Sequence, residues 1–169
     1  VFSEELNELA SEIGLENSNF TNSTGWPDKK HLTTVNDLLK LTIRTIEDFP
    51  DLYRYYSEKE FTYNNIKQLN RNPLLFRPIG SDGLKTGHTS LGGYGLVATV
   101  KNDERRLVLV LNGLKSSAQR SKESERLMKI GFNQFKSIKI APKTKELGQI
   151  PIWSGKKKMS AFILKMKFL

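Results

Sequence analysis

Three β-runs follow one another near residues 83–89, 94–101 and 104–112, and this constrains the fold more than any other stretch of the chain. Lys101-Asn102-Asp103-Glu104 leaves room for only a short hairpin turn between the second and third runs. Strands joined that closely pair antiparallel. Leu107 to Leu111 is an unbroken apolar run, the pattern of a central strand covered on both faces. Ser116 or Ser117 then caps a helix that extends to about Phe135, with Leu127, Met128, Gly131, Phe132 and Phe135 expected on its buried face.

The segments before the sheet read as helices and turns. Ser3 is a candidate N-cap, and Glu4 and Glu5 suit the positive end of a helix. Phe2, Leu6, Leu9, Ala10 and Ile13 share one helical face, and Gly14 marks its stop. Asn17 to Lys30 is rich in turn residues. Thr34-x-x-Asp37 has the form of a capping box, opening a helix whose expected stripe is Val35, Leu38, Leu39, Ile43 and Ile46. Phe49-Pro50 ends it. Phe61 to Leu69 reads as strand with a turn at Asn64-Asn65, and Leu74 to Ser81 as loop.

Near Ser137 the texture changes. Ile138, Ile140, Ile150 and Ile152 recur in short runs broken by Pro142, Gly148 and Pro151. The expected organisation is therefore one domain over residues 1–137 and the beginning of a β-rich module over 138–169, too small to be stable by itself.

Composition excludes several classes of chemistry. The 169 residues contain no cysteine and only His31 and His88, which removes thiolate nucleophiles and argues against a multi-histidine metal site. No stretch has the length and apolarity of a membrane span. The net charge of +9 favours acidic partners, but no aromatic-interleaved reader motif accompanies it, so a nucleic acid is not expected.

Lys85-Thr86-Gly87 lies at the end of a strand-like run. On a sheet edge this tripeptide has a physical logic. An extended peptide can add to the edge as a further strand. Gly87 lets its backbone come close. Thr86 brings a hydroxyl, and Lys85 a positive charge for a carboxylate. A solvated strand end is the other reading of the tripeptide taken alone.

The surroundings narrow the choice. Asn70-Arg71-Asn72-Pro73-Leu74-Leu75 comes before Asp82-Gly83-Leu84-Lys85-Thr86-Gly87-His88-Thr89, then Gly93-Tyr94-Gly95-Leu96-Val97-Ala98, Arg106-Leu107, Arg120 and Glu123-Ser124. Phe20-Thr21-Asn22, Thr24-Gly25 and Thr33 to Leu38 stand upstream. This order, from about Val1 to Phe135, resembles the D-alanyl-D-alanine carboxypeptidases of the low-molecular-mass penicillin-binding protein class. The resemblance implies an α/β (α+β) fold like those of penicillin-binding proteins and β-lactamases: an antiparallel sheet flanked by helices, here incomplete, followed by the start of a small β-rich domain. It implies that Lys85, Thr86 and Gly87 bind the substrate backbone and terminal carboxylate, and that the backbone N–H of His88 forms half of an oxyanion hole. It implies that Arg120 binds the carboxylate of the terminal D-alanine, with Arg71 near the site.

The implied partners are peptidoglycan stem peptides ending in D-Ala-D-Ala and β-lactam antibiotics. No cofactor is implied. The implied location is the periplasm or cell envelope, after export, with a peripheral membrane association through a further C-terminal segment. The family also requires Ser-x-x-Lys and Ser-x-Asn. Ser154-Gly155-Lys156-Lys157 has the first spelling but follows the Lys-Thr-Gly strand, beside a glycine, and is rejected as nucleophile. Both motifs would precede Val1, so the expectation is an inactive distal part of a longer enzyme. A non-catalytic peptide-binding remnant and a class A β-lactamase-like enzyme stay open as alternatives.

Overall fold

The three expected strands form one three-stranded antiparallel sheet, with Gly93–Asn102 between Ser81–Thr89 and Arg105–Leu114. The computed structural model describes residues 2–103, 105–138, 148–151, 153 and 159–162. It divides into two units, Val1–Phe135 and Lys136–Leu169. In the first, α1 (Phe2–Glu12), α2 (Val35–Asp48) and α3 (Pro50–Tyr53) lead through a 3-10 turn into the hairpin β1 (Glu60–Tyr63) and β2 (Ile66–Leu69). A second 3-10 turn, Pro73–Phe76, precedes β3 (Ser81–Thr89), β4 (Gly93–Asn102), β5 (Arg105–Leu114) and α4 (Ser117–Gln134). The second unit contains β6 (Gly148–Pro151) paired antiparallel with β7 (Met159–Phe162). Ile140, Ile152 and the Ser154 segment lie outside the described residues.

Local chemistry explains most of the boundaries. Thr34 caps α2 by accepting the Asp37 N–H at 3.1 Å, and Ser116 caps α4 by accepting the Gln119 N–H at 3.0 Å. Asn64 and Asn65 both adopt left-handed backbone, φ 47° and 60°, the conformation a two-residue hairpin turn requires and Asn tolerates. At the other end of α4, Arg105 donates to the carbonyls of Phe132 at 2.8 Å, Gly131 at 3.3 Å and Phe135, satisfying acceptors that a helix terminus leaves open.

The core lies between the sheet and α4. Leu96, Ala98 and Val100 of β4 pack with Met128 of α4 and Leu74 of the second 3-10 turn, with Leu107, Leu109 and Phe132 against them. β4 is the middle strand. β5, expected to be central from its apolar run, pairs only with β4 among the described residues, and Leu107 to Leu111 are half-buried. Phe135, expected in the core, is 64% exposed because it follows the end of α4.

The stripe expected on α2 is only partly buried, with Leu38, Leu39 and Ile46 half-buried. Val35 and Ile43 are exposed, whereas Asp37 and Thr42 are the buried residues of the helix. Polar anchoring outweighs apolar periodicity here. Oδ2 of Asp37 accepts from the Asn17 N–H and the Ser18 hydroxyl, both at 2.8 Å, which draws that face against the preceding loop. The carboxylate therefore does not close the expected capping box, and the cap is one-sided.

The register between β3 and β4 is held by side chains around Asp82. Its two oxygens receive the guanidinium fork of Arg106 on β5 at 2.8 and 2.7 Å, and Oδ1 also receives the Thr99 hydroxyl of β4 at 2.7 Å. Tyr53 bonds Thr99 in turn, and the Arg106 guanidinium lies over the Tyr53 ring. Burial raises the Tyr53 pKa above its ordinary value, an effect that the Thr99 bond opposes. β3 enters this network through a register shift between Ser81 and Gly83. A Cβ at Gly83 would fall 2.5 Å from the Tyr53 hydroxyl and 3.3 Å from Thr99 Oγ1.

Gly83→Ala is accordingly expected to destabilise the protein by about 2 kcal/mol, as overpacking does. Tyr53→Phe alone is expected to cost about 1 kcal/mol for the lost hydrogen bond. Because removing the hydroxyl also opens the space, urea unfolding of the double variant should show a loss clearly smaller than the sum. Additive losses would show that the two groups do not compete for one volume.

Candidate active site

β3 pairs with β4 along one edge, and its other edge carries no strand among the described residues. Strand alternation places Thr86 and His88 on one face and Lys85 and Gly87 on the other. Thr86 is opposite Leu96 and nearly buried, while Lys85, Gly87 and His88 are exposed. Nothing lies within 4 Å of the position a Gly87 Cβ would take, so the strand is bare at this point. The Lys85 ammonium donates to the carbonyl of Thr86 at 2.8 Å, which folds the side chain back along its own strand.

An open cleft of about 600 Å³ runs beside this strand, lined by Thr24, Gly25, Arg71, Lys85, Thr86, Gly87, His88, Thr89, Tyr94, Ser117 and Arg120. It brings together every residue singled out from the sequence: Lys85, Thr86, Gly87, His88, Arg71 and Arg120. Each arrives by a separate device. Arg71 sits between two anchored amides: Asn70 Oδ1 accepts the Asn72 N–H at 3.0 Å, and fully buried Asn72 donates to Gly83 O at 2.7 Å and accepts the Leu74 N–H at 3.0 Å. Arg120 sits in the first turns of α4, where its N–H bonds Ser116 O at 3.0 Å.

The electrostatics of the cleft are one-sided. Arg71, Lys85 and Arg120 line it, and among the described residues no aspartate or glutamate does. Arg120 is 7% exposed, and its Nε has no hydrogen-bond partner among the described residues. Its guanidinium lies 5.6 Å from the centre of the Tyr94 ring. Burial lowers the Arg120 pKa from its ordinary value; Tyr94 opposes that shift and the positive field of Arg71 adds to it. A buried guanidinium with a free donor and a second cation beside it is an arrangement completed by an anion.

Tyr94 also lines the cleft, although the sequence did not single it out. Its ring meets that of His88 with centroids 4.0 Å apart, and it also carries Arg120. Hairpin register was the available signal, since Tyr94 stands directly opposite His88. Thr24, Gly25 and Ser117 also line the cleft without having been singled out as site residues. His31, one of the two histidines, accepts the Thr21 N–H on Nδ1 at 3.1 Å and is not among the residues that line this cleft.

Known proteins place this arrangement. The family model described as D-alanyl-D-alanine carboxypeptidase matches residues 1–116, and the chain belongs to that family. It is 39% identical over 158 residues to the D-alanyl-D-alanine carboxypeptidase DacA of Haemophilus influenzae, covering 92% of this chain and 40% of the relative. It is 35% identical over 151 residues to DacA of Escherichia coli, covering 89% and 38%. Among solved structures it is similar to penicillin binding protein 5 from Haemophilus influenzae, with a TM-score of 0.86 and 38% identity over 95% of this chain and 47% of that one. It is also similar to Penicillin-Binding Protein D2 from Listeria monocytogenes in its ampicillin-bound form, with a TM-score of 0.73 and 29% identity over 78% and 56%. The chain spans about two fifths of the length of the curated relatives it matches.

A buried guanidinium nitrogen without a partner, as Arg120 Nε is among the described residues, costs stability on the order of 1–3 kcal/mol. Arg120→Met, which keeps the length and removes the charge, is therefore expected to leave thermal stability equal or higher. Added sulfate should raise the melting temperature of the native protein more than that of the variant. A marked loss of stability in Arg120→Met would show that the guanidinium is held for packing rather than for a ligand.

Proposed function

We propose that the protein containing this chain is a serine-type D-Ala-D-Ala carboxypeptidase of peptidoglycan maturation. It removes the terminal D-alanine of stem peptides through an acyl-enzyme, is acylated by β-lactams, and acts in the cell envelope after export. The observation that carries this reading is Arg120, buried, unpaired at Nε and placed in one cleft with Arg71 and the bare strand Lys85–Gly87. Family membership supports the reaction class.

In this reading the stem peptide lies extended along the free edge of β3 and adds to the sheet through its backbone. The missing side chain at Gly87 lets it approach. Its terminal carboxylate is the anion that the Arg120 and Arg71 guanidinium groups await, with Thr86 and Lys85 beside it. The His88 N–H then faces the carbonyl oxygen on which negative charge develops during acyl transfer. Residues 1–137 are the distal part of the catalytic domain, and 138–169 begin a β-rich domain.

The nucleophile belongs to a part of the protein outside this chain. Ser117 is the one serine lining the cleft among the described residues, and one helical turn after it stands Arg120. A guanidinium keeps its proton at any pH a protein survives and so does not activate a hydroxyl. That same observation favours the second reading, a module that binds D-Ala-D-Ala peptides without turnover.

The full-length protein is expected to form a covalent adduct with labelled penicillin and to release D-alanine from a D-Ala-D-Ala peptide, whereas this 169-residue chain alone does neither. Release of D-alanine by the chain alone would overturn the assignment of the nucleophile. In the full-length protein, Arg120→Ala should lower kcat/KM by about 100-fold, the effect of removing one charged partner of a desolvated carboxylate.

Gly87→Ala separates folding from recognition. Alanine has room in the free protein and relieves the entropic cost of a strand glycine, so stability should rise by up to about 1 kcal/mol. Peptide turnover should nevertheless fall, because the methyl group occupies the space of the incoming backbone. Unchanged turnover would show that the substrate does not pair at this strand.

A further inference from the structure

We propose that Asn22 is a positioning residue of the cleft, whose carboxamide sets the loop Ser23–Trp26. This rests on the function proposed above and extends it to a residue that need not touch the substrate. The loop supplies Thr24 and Gly25 to the cleft that holds Lys85, Thr86, Gly87 and Arg120. Among the described residues it has no backbone–backbone hydrogen bond of its own. Apart from a weak 3.4 Å bond from the Trp26 N–H to Thr24 Oγ1, the hydrogen bonds of this loop among the described residues all go to the Asn22 side chain.

Oδ1 of Asn22 accepts the N–H groups of Thr24 at 3.2 Å, Gly25 at 2.8 Å and Trp26 at 3.1 Å, and the Thr24 hydroxyl at 3.1 Å. Nδ2 donates to Trp26 O at 3.0 Å and, more weakly, to Thr21 Oγ1 at 3.4 Å. The orientation of the amide is dictated by this set, because a reversed amide would turn its own hydrogens toward three N–H donors. Gly25 is at φ +75°, the left-handed conformation in which consecutive N–H groups converge on one acceptor.

The entry to the loop is fixed separately. Asn7 of α1 exchanges two hydrogen bonds with the backbone of Phe20, at 2.7 and 2.8 Å, and His31 accepts the Thr21 N–H. Losing the Asn22 side chain therefore frees residues 23–26 while their anchors on α1 and at His31 persist. A cleft wall that wanders raises the cost of ordering the bound substrate, and this appears in KM. The chemical groups on β3 and α4 are untouched, so kcat is largely kept.

The test uses the full-length protein, with steady-state hydrolysis of a D-Ala-D-Ala peptide and titration of active sites by labelled penicillin. Asn22→Ala is expected to raise KM about tenfold while kcat per acylatable site changes less than threefold. Asn22→Asp keeps the acceptor for all three N–H groups and loses the Nδ2 donations to Trp26 O and, more weakly, to Thr21 Oγ1, so it should raise KM about threefold. Surface variant Lys129→Ala, which removes an exposed pair with Glu125 on α4, should leave both constants unchanged.

An Asn22→Ala protein with native KM and only fewer acylatable sites would overturn the inference, since that is loss of folded enzyme. If Asn22→Ala does not fold, Asn22→Asp decides alone: native KM in that variant overturns the proposal. A native protein that is not acylated at all would instead sink the functional reading beneath it.

Discussion

The Asp82 carboxylate fixes the geometry on which the rest of the first unit depends. It receives both arms of the Arg106 guanidinium and the hydroxyl of Thr99, so one side chain ties β3 to β4 and β5 at once. A bidentate arginine pair has directional demands that apolar contact lacks. Burial lowers the Arg106 pKa, and the bonds and charge of Asp82 outweigh it, leaving the cation favoured. A one-residue slip of β3 would turn Lys85 and Gly87 to the face now held by Thr86 and His88. The hub stands three residues before Lys85, close enough to hold the register of the whole edge.

A rigid sheet then carries a cleft whose charges do not balance. Three cations line it, and the described lining holds no carboxylate. Elsewhere the chain pairs its charges readily, as at Arg44 with Asp48, Arg77 with Glu125 and Lys67 with Glu60. Arg120 Nε, buried and without a hydrogen-bond partner among the described residues, stands in the same cleft as the strand edge at Gly87, and such a group costs stability until a partner completes it. Arg71 reaches the cleft because the amides of Asn70 and Asn72 fix the chain on either side of it, and Asn72 also holds Gly83 at the start of β3. The second arginine and the strand are therefore positioned by one connected set of bonds.

Much of the fold was legible in the residues. Short turns between β-runs gave the three-stranded sheet, Asn64-Asn65 gave the hairpin, and Thr34 and Ser116 gave the helix starts. These are local effects, settled within a few residues by backbone conformation and capping. The buried faces were less legible. On α2 the periodicity pointed to Val35 and Ile43, yet Asp37 and Thr42 are inside, because a carboxylate with two short hydrogen bonds to a distant loop fixes the roll of the helix. On β5 an apolar run suggested the centre of the sheet, and the pairing order put β4 there.

The candidate site divides in the same way. Sequence alone determined the chemical types, Lys85-Thr86-Gly87 as a strand with an open glycine and Arg71 and Arg120 as cations, and through its ordered segments it determined the family. Only the tertiary structure decided that Arg120 lies buried near Arg71 with no counter-charge among the described residues, that Tyr94 stands between Arg120 and His88, and that the loop of Asn22 walls the cleft. The reason is range. Capping, turns and strand pairing act between near neighbours and leave their pattern in the sequence, whereas burial and the absence of a partner depend on everything that folds around a group.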